Sequence, residues 1–536
     1  MKNTQLLILS SLFLHCFSFA QKDFKNAEKK FQQGQFFNAI ELYKNAYTEA
    51  KTEEDKALIS FKTGECFRFI GDNKQSEDWY SKAIISNYTD PKAILYLAET
   101  KKAQGKYQEA IEEYNKYKSM VTSDTRGADG ILSCELAQKW QNNPTRYSVE
   151  NITLLNSEDP DFSPSYADNK YSRIYFTSMR SGVTGSEINE STGKNYGDVF
   201  ETQMDKSGNW SSPVALPEPV NTKDNEGLTS ATKKADMLFF TRSDQTISQI
   251  WLTTKKGNVW GEPEKLNFCV ESLKYSSPSI SSDGGTLFFV SDMPGGQGEN
   301  DIWISKYDKS NKKWGDPINL GTEINTSGND VSPFIQEEGT LYFSSNGYLG
   351  MGGLDIFKAE KKGEDQWGNV TNMKYPINSA GNDFGIVFEG KKEKGYLTSN
   401  REGTHGADDI WSFVLQPPLL FTIDGVITDC SNKEPITGVS VKLIGSDGSS
   451  EIIKTDAAGY YKFAENVSEG RYIKANTAYV ISIVNDASLK TSKNTEGFLN
   501  NKTLVKQTTV GVKESRNFKH DFCLSPNTPK VTTPKK

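Results

Sequence analysis

Histidine is the scarcest informative residue in this chain of 536: there are three, His15, His405 and His520, and they lie far apart. So few imidazoles leave little room for His-based zinc sites or for Ser–His and Cys–His machinery. Excess positive charge is missing too. Sixty-two Lys and Arg face 69 Asp and Glu, a formal net charge of −7, so nothing attracts nucleic acid electrostatically and none is expected as a partner. After residue 20 no stretch approaches eighteen apolar residues, which leaves the mature chain without a membrane-spanning segment. Disorder is excluded by the 11 % of aromatic residues. The length predicts three or four domains.

The N-terminus has one basic residue, Lys2, an apolar run from Leu6 to Phe19, and small residues at Ser18 and Ala20. This pattern predicts a secretory signal peptide over 1–20, with maturation near Gln21 and export to the periplasm. Cys16 raises the rival reading of a lipoprotein, but Phe13-Leu14-His15 lacks the small residue that lipidation wants before the cysteine. Five cysteines remain, Cys66, Cys134, Cys269, Cys430 and Cys523. In an oxidising compartment an odd number leaves at least one unpaired.

From 21 to 143 the period is helical and repeats. Gly34-Gln-Phe36-x-x-Ala39-x-x-x-Tyr43-x-x-Ala46 is matched by Gly71-Asp-Asn73-x-x-Ser76-x-x-x-Tyr80-x-x-Ala83 and by Gly105-Lys-Tyr107-x-x-Ala110-x-x-x-Tyr114-x-x-Tyr117. Ala27, Gly64 and Ala98 stand at the matching small position earlier in each unit. Three helical pairs and a closing helix near Ala128–Trp140 are expected. The pattern resembles tetratricopeptide repeats, weakly in the second unit, where Asn73 and Ser76 replace the aromatic and the alanine. The resemblance implies a groove lined by Phe61, Glu65, Arg68, Lys92, Glu99 and Lys102; a solvated polar face explains the same charges.

Between 144 and 416 the period becomes that of short strands. Five units share a core, of which Ser277-Pro-Ser…Thr286-Leu-Phe-Phe-Val-Ser…Asp301-Ile-Trp is the clearest. Four carry an asparagine upstream, Asn156, Asn221, Asn325 and Asn378; the third has Val270. Units of this length and grammar predict five propeller blades. The fifth lacks a following strand, so Tyr147-Ser-Val-Glu-Asn-Ile-Thr-Leu-Leu is expected to complete it and close the ring. The units resemble the TolB-type propeller repeat, a fold that hosts both enzymes and docking platforms.

Residues 420–524 alternate apolar and polar positions, as at Val439, Val441 and Leu443, with a turn at Asp456-Ala-Ala-Gly459. They resemble a carboxypeptidase regulatory-like domain, which implies a small antiparallel β-sandwich without catalytic groups. Cys430 ends its first strand and Cys523 its last, positions that a bridge could join, though spacing alone leaves the pairing open. The Pro-, Thr- and Lys-rich 525–536 reads as a disordered tail or linker.

Several patterns imitate active sites. Ser281-Ser-Asp-Gly-Gly-Thr-Leu approaches a sialidase Asp-box but is read as a turn; Gly295-Gly-Gln-Gly and Gly350-Met-Gly-Gly precede no helix, so phosphate cradling is not expected. Calcium at these acidic loops, near Asp292, Glu299 and Asp301, lacks EF-hand spacing. His405 beside Asp408 and Asp409 is read as exposed. No catalytic, cofactor-binding or metal-ligating residue is assigned, and no cofactor is expected.

Taken in order, the modules resemble the N-terminal part of PorE-type periplasmic proteins of the OmpA family, associated with type IX secretion and gliding in Gram-negative bacteria. The resemblance implies a non-enzymatic scaffold that docks envelope proteins at the periplasmic side of the outer membrane. The family's peptidoglycan-binding domain has no counterpart up to Lys536, so peptidoglycan binding is not carried over. Rival readings are a propeller-based hydrolase or lyase acting on glycans or peptides, and a receptor for sugar or peptide. The side chains lining the propeller mouth discriminate: convergent Asp or Glu with Arg or Tyr favours catalysis, a Ser/Thr/Asn lining favours docking.

Overall fold

In a computed structural model, residues 21–185, 188–244, 247–464, 473–484, 497–498 and 504–527 are described. The expected signal peptide, 1–20, and residues 528–536 of the expected tail lie outside them. The chain divides into two compact units at Gln416/Pro417.

Among the described residues, seven helices open the first unit: α1 Gln21–Gln32, α2 Phe36–Glu49, α3 Glu53–Phe69, α4 Asn73–Ile85, α5 Lys92–Lys102, α6 Tyr107–Met120 and α7 Arg126–Asn142. Each first helix of a pair ends before a glycine with positive φ, Gly34, Gly71 or Gly105, where a side chain would be strained. Helices approach at the small positions: a Cβ on Gly64 would lie 2.9 Å from the Tyr80 ring. In the irregular second repeat, Ser76 is fully buried where the others have alanine, and its hydroxyl donates to the Gly64 carbonyl at 3.1 Å. A small polar residue is tolerated there because its single donor is satisfied.

Five sheets follow over residues 147–415. Their innermost strands are Asp161–Tyr166, Asn225–Ala231, Tyr275–Ile280, Asp330–Ile335 and Asp383–Phe388; each touches the next, and the fifth touches the first. The ring closes through Tyr147–Asn151, which pairs antiparallel with Asp409–Leu415 in the fifth sheet. The outer strand depends on proline. In the second and third sheets Trp-Gly-x-Pro splits it into two-residue pieces, Val259–Trp260 with Glu264–Lys265 and Lys313–Trp314 with Ile318–Asn319. In the fourth, Trp367-Gly-Asn-Val has no proline and the strand runs unbroken from Gln366 to Asn372.

The helical repeats rest on the end of the ring that carries the loops between second and third strands. The Phe37 N–H donates to the Ser191 carbonyl at 3.1 Å, and Gln35 bonds Glu190. Tyr107 and Tyr114 share an apolar cluster with Met351, Tyr375 and Ala380.

Among the described residues the second unit has two four-stranded sheets around one core that includes Phe421, Ile423, Val441, Leu443, Tyr461 and Ile481. The expectation of a purely antiparallel module needs correction. Phe421–Asp429 pairs antiparallel with Tyr460–Ala464 but parallel with Arg516–Lys519 and Phe522–Leu524. The last segment arrives from the other sheet by a crossover instead of a hairpin, which permits the parallel sense. Cys430 and Cys523 form a disulfide, with Cα atoms 4.9 Å apart. The module also reaches past 524: Pro526 bridges to Phe498, and the Asn527 N–H donates to the Gly497 carbonyl.

Candidate functional site

The five innermost strands each carry a bulge, at which Ser163, Leu228, Ser277, Ser332 or Gly385 has a left-handed backbone with φ between 49° and 60°. A bulge turns the strand and crowds the axis. A Cβ on Gly385 would stand 3.3 Å from the Ser163 Cα, so neighbouring backbones nearly touch. Adjacent sheets are tied at this level. The Ser163 N–H donates to Thr398 Oγ1 at 2.8 Å, that of Leu228 to Thr177 at 2.9 Å, and that of Ser277 to Thr241 at 3.1 Å. Val290 and Ser344 occupy the threonine's place in the third and fourth sheets. Valine offers no oxygen, and the Ser344 hydroxyl is buried without a partner.

Beyond this constriction the ring widens into a cup of about 1000 Å³, including its open part. Its wall is Ser165, Thr229, Ser279, Pro278, Phe334 and Ile386; its rim, on the turns between first and second strands, holds Asp168, Tyr171, Lys233 and Glu337. Lys233 Nζ lies 2.7 Å from Glu337, and the Tyr171 hydroxyl donates to the same carboxylate at 3.2 Å. These contacts hold Glu337 below the usual carboxylate range, the lysine contributing most. Glu337 is therefore an anion at neutral pH, poorly suited to donate a proton.

The other end of the ring is rich in acids, and nearly all are engaged. Four asparagines act as strand substitutes: Asn156 donates to the Ile410 carbonyl and accepts the Ile410 N–H, and Asn221, Asn325 and Asn378 do the same with Val199, Ile302 and Ile356. In the third unit, Val270 has no polar side chain; its backbone carbonyl accepts from the Gln249 side chain at 3.2 Å. Gln249 stands where the other sheets have Asp198, Asp301, Asp355 and Asp409.

Five residues after each asparagine comes a fully buried acid, Asp161, Glu226, Asp330 or Asp383. Each accepts from the backbone and hydroxyl of a Ser or Thr four residues before it. Three also hold an arginine: Arg180 at 2.5 Å from Asp161, Arg242 at 2.7 Å from Glu226, and Arg401 at 2.5 Å from Asp383. The recurring Asn-Ser/Thr-x-x-x-Asp/Glu spacing was the available sequence signal for these clamps, and the reading above took only its asparagine.

In the third, fourth and fifth sheets the glycine-rich loops wrap the Asp that opens the third strand. Asp301 accepts from the Gln297 and Gly298 N–H groups, Asp355 from Gly352, and Asp409 from His405 and Gly406. A Cβ on Gly350 would lie 1.9 Å from Asp355 Oδ2. Glycine here permits close approach to an internal carboxylate. Burial, reinforced by Asp383, pushes the Asp355 carboxyl up to about 7. Burial also raises Asp408, to about 6. No group of three or more metal-ligating side chains occurs among the described residues. His405 is exposed. The Ser281 motif is a turn, with Asp283 accepting from the Ser281 hydroxyl and the Gly285 N–H.

In the helical repeats the six groove residues separate. Phe61 is interior, 5 % exposed and stacked on Tyr88 and Tyr96, because α3 turns it toward the next pair. Arg68 lies over the Tyr96 and Phe69 rings and donates to the Tyr80 hydroxyl at 3.2 Å. Glu65 is near Arg68 at 3.9 Å. Burial raises the Glu99 carboxyl, opposed by Arg68, Lys102 and Arg126. Lys92 is exposed at the start of α5. Cys66, Cys134 and Cys269 are free and buried, and desolvation pushes their thiols up to about 12, 11 and 11. No helix among the described residues is long and apolar enough to cross a membrane.

No protein-family model and no curated protein matches the chain. Among solved structures it is similar to TolB from Acinetobacter baumannii, at 14 % identity and a TM-score of 0.29, over 48 % of this chain and 55 % of that one. This match spans about half the length of each protein. Another likeness is to the C-terminal TPR-containing domain of a Plasmodium falciparum FK506-binding protein, at 20 % identity and 0.21, over 23 % and 90 %. A third is to an N-acetylgalactosamine deacetylase from F. plautii, at 11 % and 0.29, over 50 % and 89 %.

Proposed function

We propose that the chain is a non-enzymatic scaffold of the bacterial envelope that docks protein partners. On this reading it is exported by its leader, and 21–143, 144–416 and 420–524 are a tetratricopeptide-like solenoid, a five-bladed propeller and a regulatory-like β-sandwich. It acts at the periplasmic side of the outer membrane alongside type IX secretion or gliding machinery, as the PorE-type resemblance implies.

One observation carries the reading: the cup is walled by Ser, Thr, Pro, aliphatic and aromatic groups, Tyr166, Phe334 and Phe388 among the last, and its acids stay at the rim, Glu337 bound to Lys233. Hydrolysis of a glycoside or peptide needs a positioned acid and base, or a nucleophile with its base, converging on one reacting atom. A rigid wall of small hydroxyls and apolar surface suits an inserted loop or chain end, and several docking surfaces on one chain raise the effective concentration of partners.

The test is affinity capture of the tagged chain from native envelopes, with the purified protein assayed against glycan and peptide libraries. Recovery of a stable envelope complex that is lost on filling the cup, as in Ser279→Trp, supports docking. Turnover of a library member without any stable complex overturns it.

A further inference from the structure

The second unit has two outward faces of opposite character. On the sheet containing Phe421–Asp429 the outward side is satisfied polar surface: Asp424 accepts from the Tyr460 hydroxyl at 2.9 Å and from the Asn517 amide at 3.1 Å. The other sheet consists of Ser450–Lys454, Ser440–Gly445, Ala478–Val484 and Leu504–Thr508, in that order. Its inward residues, including Val441, Leu443, Tyr479 and Ile481, are core.

Pairing register fixes what its outward side presents. One row crosses Lys454, Ser440 and Val484; the next Ile452, Lys442, Ser482 and Leu504; the third Ser450, Ile444, Val480 and Lys506. Ile444, Ile452, Val484 and Leu504 are 41 %, 54 %, 37 % and 56 % exposed. Each row holds one lysine and at least one exposed or half-exposed aliphatic residue, and none of these rows holds an acid. Lys442, Lys454 and Lys506 have no ion pair among the described residues. The bias extends to the segment: 417–536 has 16 Lys and Arg against 12 Asp and Glu, a net +4 in a chain whose total is −7.

We propose that this face is a docking surface for an anionic lipid bilayer. Charge selects an anionic partner, and composition selects lipid over protein. Protein interfaces concentrate Tyr, Trp and Arg and are depleted in Lys; the rows have none of the first three and one lysine each. Aliphatic groups entering the headgroup boundary, with lysine stems extended toward lipid phosphates, form a peripheral membrane contact. The acidic remainder of the chain is repelled by the same surface, which leaves this face to supply the attraction. The inference stands apart from the cup and from the scaffold reading.

The test uses the whole mature chain, residues 21–536, sedimented with vesicles of phosphatidylcholine alone or containing phosphatidylglycerol. Binding to the anionic vesicles only, weakening with salt, is expected. K442Q/K454Q/K506Q lowers partitioning on the order of a hundredfold, at about fivefold per lysine. I444S/I452S/L504S weakens it while leaving the salt dependence, and K462Q/K519Q, on the other sheet, leaves binding unchanged; circular dichroism checks that each variant folds. Equal binding to neutral vesicles, undiminished binding of the lysine variant, or no binding to anionic vesicles overturns the proposal.

Discussion

The two ends of the ring use the same repeated strands differently. At the end under the helical repeats, carboxylates sit buried and are spent on arginines, hydroxyls and loop amides; at the cup, the corresponding positions are serine, threonine, proline and glycine. The richer chemistry is thus the structural end. A buried carboxylate costs several kcal/mol unless paired and hydrogen-bonded, and Asp161, Glu226 and Asp383 each have an arginine and a Ser or Thr as partners. The open end keeps no such groups and carries no such constraint, which leaves its surface available for a partner.

The sharpest way to break this comparison is to remove one member of a clamp. Asp383→Ala or Arg401→Ala leaves the other charge buried and unpaired, and each is expected to lose about 3–5 kcal/mol in urea unfolding. Little loss from either would mean that the pair is not a clamp. A second difference lies in pH dependence. The folded state holds a proton on Asp355 up to about pH 7, whereas the unfolded chain releases it near its ordinary value of 3.8. The folded form therefore binds more protons between about pH 4 and 7, and this contribution to stability is lost as pH rises through that window. Asp355→Asn, which stays neutral, should flatten the decline by a few kcal/mol between pH 5 and pH 8; an unchanged slope would locate the proton elsewhere.

Thr398→Val tests the ties at the constriction. The third sheet already has Val290 in this place, yet in the fifth the change strands the Ser163 N–H, so a loss of about 1–3 kcal/mol is expected from thermal unfolding. At the rim, Lys233→Ala removes a partly exposed ion pair and should cost less than about 1 kcal/mol. A rim variant as damaging as a clamp variant would erase the distinction between the ends.

Much of this was legible in the residues. The helical repeats followed from glycines at fixed spacing, because only a residue free of Cβ takes positive φ cheaply after a helix. Closure by the strand that starts at Tyr147 followed from a fifth unit that lacked its outer strand, though the pairing stops at Asn151 and not at Leu155. Other features were hidden. The tetratricopeptide resemblance implied a groove position for Phe61, which is 5 % exposed; a repeat pattern does not tell which neighbouring helix a side chain meets. The glycine-rich loops were not expected to cradle a ligand, but what they do wrap, the Asp a few residues onward, was not legible, since such a carboxylate is indistinguishable in sequence from one aimed at an ion. The parallel sense of Arg516–Lys519 and Phe522–Leu524 was missed because alternation reports a strand's faces and not its direction.

Local stereochemistry, carried by single residues and their spacing, determined where the chain turns, which residues alternate inward and how often the unit recurs. The tertiary structure alone decided which acids are consumed internally and which face remains free. Both depend on groups brought together from distant parts of the chain, such as Asn156 with Ile410 or Thr398 with Ser163, and no short stretch of sequence encodes that proximity.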